Sequence, residues 1–329
     1  MKKFIFFIFF IFILNADPQL SQSEYIWNTG LAMEADVRPD SFYDLFIDPR
    51  TYINPKKIND GDIIWIQPDY LSIFTRNILP QIRKKIILLI NASDLSFPDC
   101  IKSQNEKEAL LESDKIIHIF AQNCTLSDHY KVTQIPIGLD YHTLAFGKKA
   151  FGENKISVTD QELRLKYFSK IGEKKSRSLQ ACADFHFNDT MRCSNHLDLI
   201  FGEDRTAIYN FLKNKKEVVF FKSKVPRTQL WFQKMQYSFS ICAPGNGFDT
   251  HRVWEDLILG LIPIVKTSPL DPLYKNFPII IVKDWNEINL QNLILWKKQN
   301  GERVYSEKIK AKLSQDYWLK LIRSYKDIL

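Results

Sequence analysis

The chain has 329 residues, of which 45% are hydrophobic and 25% charged, and a formal net charge of +7. That balance excludes a disordered or low-complexity protein and leaves enough apolar material for two cores of ordinary size. Its basic residues sit in short clusters at 83–85, 174–175 and 213–216 without interleaved aromatics, a pattern of solvated faces that argues against nucleic-acid binding.

Met1, Lys2 and Lys3 precede an unbroken apolar run over 4–14, followed by Asn15, Ala16, Asp17 and Pro18. The run falls short of the roughly 20 residues a bilayer span requires. A basic start and a small residue at Ala16 fit a secretory signal peptide over 1–16, with an uncleaved signal anchor as the alternative. Either reading places the protein in the secretory pathway or cell envelope, and any membrane association runs through residues 4–14. Cys100, Cys124, Cys182, Cys193 and Cys242 are odd in number and lack the two-residue spacing of a zinc knuckle, so one or two unassigned disulfides remain open. Asn91, Asn123 and Asn188 head glycosylation triplets.

Residues 19–57 carry three prolines, many aromatics and no clean period. From residue 60 the pattern becomes regular. A strand is expected over 63–67, a helix over 70–83, a strand over 86–91, a helix over 105–112, and strands over 116–121 and 132–137. Continuous apolar strands alternating with helices predict a parallel α/β sheet covered on both faces. Ligands of such sheets sit beyond the strand carboxyl ends. Those ends carry Gln67, Asp69, Asn91, Ser93, Asp94, Gln122, Asn123, Gly138 and Asp140, which makes Asp94 and Asp69 the carboxylates best placed to meet a substrate. Each is also an ordinary capping or turn residue, and His118 and His142 read as structural histidines.

A linker over 151–176 contains a charged helix at 160–169, and a second alternation follows. It comprises a strand over 179–185, a helix over 203–212, a strand over 218–221, a helix over 227–235 and a strand over 238–243. The plan is therefore a first α/β domain over 17–150, a second over 177–290, and terminal helices over 291–329. Two such domains face each other across a cleft.

The strand over 238–243 runs into Gly245, Asn246 and Gly247, where positive φ would be cheap, and then into a helix capped by Asp249 or Thr250. In that helix Val253, Trp254, Leu257, Ile258 and Leu261 form a buried face, Gly260 ends it, and a strand over 262–265 follows. A strand, loop and helix joined in this way aim N–H groups and a positive helix end beyond the sheet edge, which favours phosphate. The competing reading is a plain connection with an Arg252–Asp256 pair at i, i+4. Helices over 289–298 and from 306 onward close the chain, and the last of them could cross back onto the first domain.

The run APGNGFDTHRVWEDLILGLIPIV, followed by SPLDPLY and FPIIIVKDW, resembles the carboxyl-terminal half of exostosin-like glycosyltransferases over residues 238–285. The resemblance implies the GT-B architecture: two Rossmann-like doubly wound domains, with a nucleotide-sugar held mainly by the second and inversion at the anomeric centre. It places Gly245, Asn246 and Gly247 near the donor diphosphate, with His251 beside them. Arg252 would meet phosphate charge and Glu255 the ribose hydroxyls. Lys222 and Arg227, just after the preceding strand, are second-rank phosphate candidates from position alone. The chain departs from the commoner pattern at Asp256 and His251.

The function implied is inverting transfer of a sugar from a nucleoside-diphosphate donor to a hydroxyl of a glycan or related acceptor. The first domain would supply the base, Asp94 ahead of Asp69. No cofactor and no metal are expected, because arginine and N–H groups can carry the leaving charge. Asp60-Gly61-Asp62 has the form of a metal-binding Asp-x-Asp but precedes its strand, at the wrong sheet edge, and reads as a turn. The alternative is a non-catalytic carbohydrate-binding or scaffold protein that retains the fold.

Overall fold

The computed structural model describes residues 23–42, 46–147, 150–185, 205–221 and 225–328. The expected leader, Asn188, Cys193 and Lys222 lie outside them.

The first domain is a parallel sheet in the order β1 (Asp62–Ile66), β2 (Ile86–Ile90), β3 (Ile116–Ala121) and β4 (Val132–Gln134). Its strands read as nearly unbroken Ile and Leu because both faces are buried. Alternation sorts them. Ile64, Ile66, Leu88 and Ile90 pack with Leu71, Phe74, Ile78 and Leu110 of the connecting segments, whereas Ile63, Trp65, Ile87, Leu89 and Phe120 turn the other way.

The segment before β1, which has no sequence period, contains α1 (Asn28–Met33). Five of its six residues are buried, so it presents apolar or satisfied groups on every side and no face for periodicity to reveal. The single helix expected over 70–83 is instead a chain of short turns: α2 (Leu71–Ile73), a π turn at Phe74–Ile78 and a 3-10 turn at Leu79–Gln81. Pro80 explains the break, since it lacks an N–H and its ring clashes with the preceding turn. The next helix, α3 (Gln104–Leu111), starts where Ser103 accepts from Glu106 N–H. After β4 comes the short α4 (His142–Ala145), and the connecting helix α5 (Val158–Glu173) is capped by Ser157, which accepts from Asp160 N–H at 3.0 Å.

The second sheet contains β5 (Ser178–Ala183), β6 (Val218–Phe220), β7 (Tyr237–Ile241), β8 (Ile262–Lys266) and β9 (Ile280–Val282), all parallel, in the order β6-β5-β7-β8-β9. Its helices are α6 (Arg205–Leu212), α7 (Arg227–Lys234), α8 (His251–Ile258) and α9 (Asp271–Tyr274). Gly260, at φ +79, ends the α8 segment, and a Cβ there would lie 2.3 Å from the Tyr305 hydroxyl. The expected α/β class with two parallel sheets is the observed one.

Helices α10 (Leu290–Asn300), α11 (Glu307–Lys312) and α12 (Gln315–Ser324) complete the chain. The expected return to the first domain is present. Ile26 N–H donates to Leu313 O at 2.9 Å, Gln315 N–H donates to Glu24 O at 2.8 Å, and Tyr325 packs at a tilt against His118 with ring centroids 4.0 Å apart. One apolar cluster therefore runs through both domains, from Trp65 and Leu89 through Trp254 and Leu257 to Trp318 and Ile322.

Among the described residues no helix is long and apolar enough to cross a membrane. Cys100, Cys124, Cys182 and Cys242 are free thiols. Asn91 and Asn123 are fully buried and hydrogen-bonded, Asn91 to Asn28 O and Trp65 Nε1 and Asn123 to Ser93 O, so both triplets supply interior struts.

Candidate functional site

The chain leaves β5, steps outward to β6 and then crosses back to β7, so the strand order reverses between β5 and β7. Open parallel sheets bind ligands at such a reversal, beyond the carboxyl ends. Here those ends deliver Asp184 after β5 and the loop Pro244 to Gly247 after β7.

Neither glycine of that loop has positive φ, contrary to the expectation. Gly247 is needed for close approach instead. A Cβ there would stand 2.5 Å from Asn123 Nδ2 and 2.9 Å from Asp94 O. The loop is thus seated on the first domain, where Asn246 Nδ2 donates to Asp94 Oδ2 at 3.1 Å and Asp249 N–H donates to Asn123 Oδ1 at 2.8 Å. Thr250 holds the N-cap position without a side-chain bond. Asp249 organises the turn, its carboxylate accepting from Ile137 N–H across the domain boundary and from Thr250 N–H, Trp254 Nε1 and Tyr274 Oη. Burial pushes the Asp249 carboxyl up to about 6, against the pull of these donors.

Glu255 and Asp256 of α8 are buried along with its apolar face, and Arg252 is partly buried. Arg252 Nε donates to Asp184 Oδ1 at 2.5 Å, and Asp256 pairs with Lys234 Nζ at 2.5 Å, so the two partners of the expected i, i+4 pair each bond elsewhere. Lys234, 1% exposed, also reaches Asp184 at 3.5 Å. Burial works against the Lys234 charge, but Asp184 and Asp256 outweigh it and keep the ammonium protonated. Glu255 accepts from Arg227 Nη2 and from Trp231 Nε1, and Arg227 Nη1 donates to Asp140 O at 2.7 Å. Arg227 therefore ties α7 to α8 and to the first domain.

Of the other expected residues, Asp94 is exposed and meets the glycine loop, whereas Asp69 is exposed in the turn Pro68–Tyr70, where its charge acts on Cys100. Asp60-Gly61-Asp62 forms a turn, with Gly61 at φ +84 and Asp60 bound to Lys84 and Lys85 N–H. A cavity of 450 Å³ lined by Asp36, Tyr52, Lys57 and Asp62 opens at that amino-terminal edge of the first sheet.

Two residues that the sequence does not single out, Asp184 and Arg205, join the site, and two that it reads otherwise, the strand-end Asp140 and the structural histidine His142, meet there as well. Asp184 follows from the strand-end rule once it is applied to the second sheet. Arg205 heads α6 and donates from Nε to Pro244 O at 2.7 Å. Asp140 and His142, beyond β4, converge with His251 at the head of α8, and one ligand atom from each lies within 4.8 Å of the other two. These three could hold a cation.

No family model matches the chain, and no curated protein matches it in sequence. Solved structures with a similar course of chain include the N-terminal domain of trehalose-6-phosphate phosphatase from Candida albicans, at 11% identity and a TM-score of 0.38 over 82% of this chain and 71% of that one. An Escherichia coli structure described as trehalose-6-phosphate bound with UDP-2-fluoro glucose gives 11% identity and 0.39 over 81% and 74%. A UDP-forming α,α-trehalose-phosphate synthase from Burkholderia xenovorans gives 12% and 0.35 over 84% and 73%. Likeness at this level says nothing of which residues bind a ligand.

Proposed function

We propose that the protein is a nucleotide-sugar-dependent glycosyltransferase that inverts the anomeric centre and transfers to a hydroxyl of a glycan or related acceptor. One observation carries this reading: the glycine loop and Arg252 stand at the strand-order reversal of the second sheet, facing the strand ends of the first domain through the Asn246–Asp94 contact.

In this account the donor diphosphate lies along Gly245, Asn246 and Gly247, beside His251. Arg252 meets the charge that develops as the nucleoside diphosphate leaves, with Lys222 and Arg227 as further cations of the donor side, and Glu255 accepts from the ribose. A preorganised guanidinium in a site of low dielectric stabilises a leaving phosphate without a metal at that position. Asp94, ahead of Asp69, takes the proton of the acceptor hydroxyl as its oxygen bonds the anomeric carbon and the bond to the diphosphate breaks. The donor would be drawn from the nucleotide-sugars of the secretory pathway or cell envelope.

A second reading, a non-catalytic carbohydrate-binding or scaffold protein of the same fold, draws on the fact that Arg252 and Glu255 already have protein ion-pair partners. Free nucleotide released from UDP- and GDP-sugars, with and without a glycan acceptor, separates the two. Release that depends on acceptor supports transfer. Nucleotide protection against heat with no release supports the second reading, and neither effect removes both.

A further inference from the structure

Asp140, His142 and His251 come together from different parts of the fold. Asp140 and His142 close the segment after β4, and His251 is the first residue of α8 in the other domain. His142 Nδ1 lies 3.0 Å from Asp140 Oδ1, and the two imidazole centroids are 5.9 Å apart. A simple Asp140–His142 pair accounts for the first contact. It does not account for the arrival of His251.

Each group is also held from behind. Thr143 donates to both oxygens of Asp140, from its N–H at 3.1 Å and its Oγ1 at 3.0 Å. His251 Nδ1 is 2.7 Å from Gly138 O, and a carbonyl can only accept. Nδ1 therefore carries a proton, and in the neutral ring Nε2 is the nitrogen with the lone pair. An imidazole whose second nitrogen donates to a carbonyl is oriented as metal-binding histidines are. The nearby Arg227 charge is matched by Glu255 and does not bar a dication.

We infer that Asp140, His142 and His251 form a binding site for a divalent transition metal of the zinc type, which pins the head of α8 to the first domain. Two imidazoles with one carboxylate select such an ion over magnesium or calcium, which take all-oxygen sets. Three protein ligands leave a coordination position for water or a substrate oxygen. The site borders the phosphate site proposed above and shares His251 with it, and it stands whether or not the protein transfers sugars.

Untagged full-length protein, stripped with chelator and titrated with zinc or magnesium chloride, tests this by calorimetry, elemental analysis and thermal melting. The expected result is about one zinc per chain, a rise in melting temperature with zinc and none with magnesium. Thr143→Val should weaken zinc binding by about 10–100-fold, and His142→Gln and His251→Gln should weaken it further. His129→Gln, at a histidine beside Glu112, should leave it unchanged. Folded wild type that retains no zinc would overturn the inference, as would equal zinc affinity in the His251 and His129 variants. If the ligand variants fail to fold, the wild-type stoichiometry and the Thr143 variant decide.

Discussion

Arg252 Nε donates to Asp184 Oδ1 at 2.5 Å, joining the head of α8 to the end of β5 at the point where the second sheet reverses its strand order. The pair fixes a guanidinium at the place where an anionic ligand of such a sheet would arrive. Lys234 continues the network to the buried Asp256, so two acids and two bases share one seam. A ligand phosphate would have to compete with Asp184 for Arg252.

This seam makes stability depend on pH with a definite sign. Burial raises the Asp184 carboxyl, but Arg252 and Lys234 more than offset it and hold the group down to about 2. A depressed folded value stabilises the protein above the unfolded value of 3.8 and loses that stabilisation as pH falls through about 2. The loss is about 2 kcal/mol between pH 4 and 2. Urea midpoints across that range should fall less steeply in Asp184→Asn than in wild type. Equal slopes would mean that Asp184 is not the group responsible.

The Arg227–Glu255 pair is buried and shared with Trp231 and Asp140 O. Breaking it with Arg227→Met leaves a buried carboxylate with one indole donor, at a cost of about 3–5 kcal/mol. The double variant Arg227→Met/Glu255→Leu should be more stable than the sum of the two single effects predicts. Strict additivity in urea unfolding would show that the two side chains do not interact.

The two loop glycines should respond differently to alanine. At Gly247 the new methyl meets Asn123 and the Asp94 backbone at under 3 Å, whereas at Gly245 the nearest atom, Arg205 Nη2, is 3.4 Å away. Gly247→Ala should therefore cost about 1–3 kcal/mol through displacement of the loop, and Gly245→Ala well under that. Thermal melting of the two variants side by side gives the ordering.

The chain's return to the first domain is built from buried side chains. Trp318→Ala should cost about 3–5 kcal/mol, while Ile328→Ala, at a side chain 67% exposed, should stay within about 0.5 kcal/mol. A small Trp318 effect in urea unfolding would mean that α12 is an appendage and not part of the core.

Much of the architecture is legible in the residues themselves. Runs such as IILLI at 86–90 and IIHIFA at 116–121 can only be doubly buried strands, and the strand–loop–helix–strand course around Gly245 to Val265 follows from local signals. Helix α1 escapes because it is buried all round, and the turns after β1 escape because Pro80 breaks a pattern that otherwise reads as helical. The positions of the site residues were partly accessible: Asp94 does meet the glycine loop, as strand-end placement suggests. Their partners were not. Asp184 lies 68 residues from Arg252, and Asp140 lies 87 from Arg227. No periodicity encodes contacts between elements so far apart in the chain, and the approach of His251 to His142 depends on how two whole domains dock.

The central claim, that the loop and helix after β7 bind a nucleotide-sugar, is tested most directly by calorimetric titration of UDP- and GDP-sugars into wild type, Arg252→Lys and Arg252→Ala. The lysine variant keeps a cation beside Asp184 and so guards against simple unfolding. The account predicts saturable binding of at least one donor to wild type, weakened in Arg252→Lys and further in Arg252→Ala. Binding of no donor to folded wild type, or equal affinity in all three proteins, would contradict it.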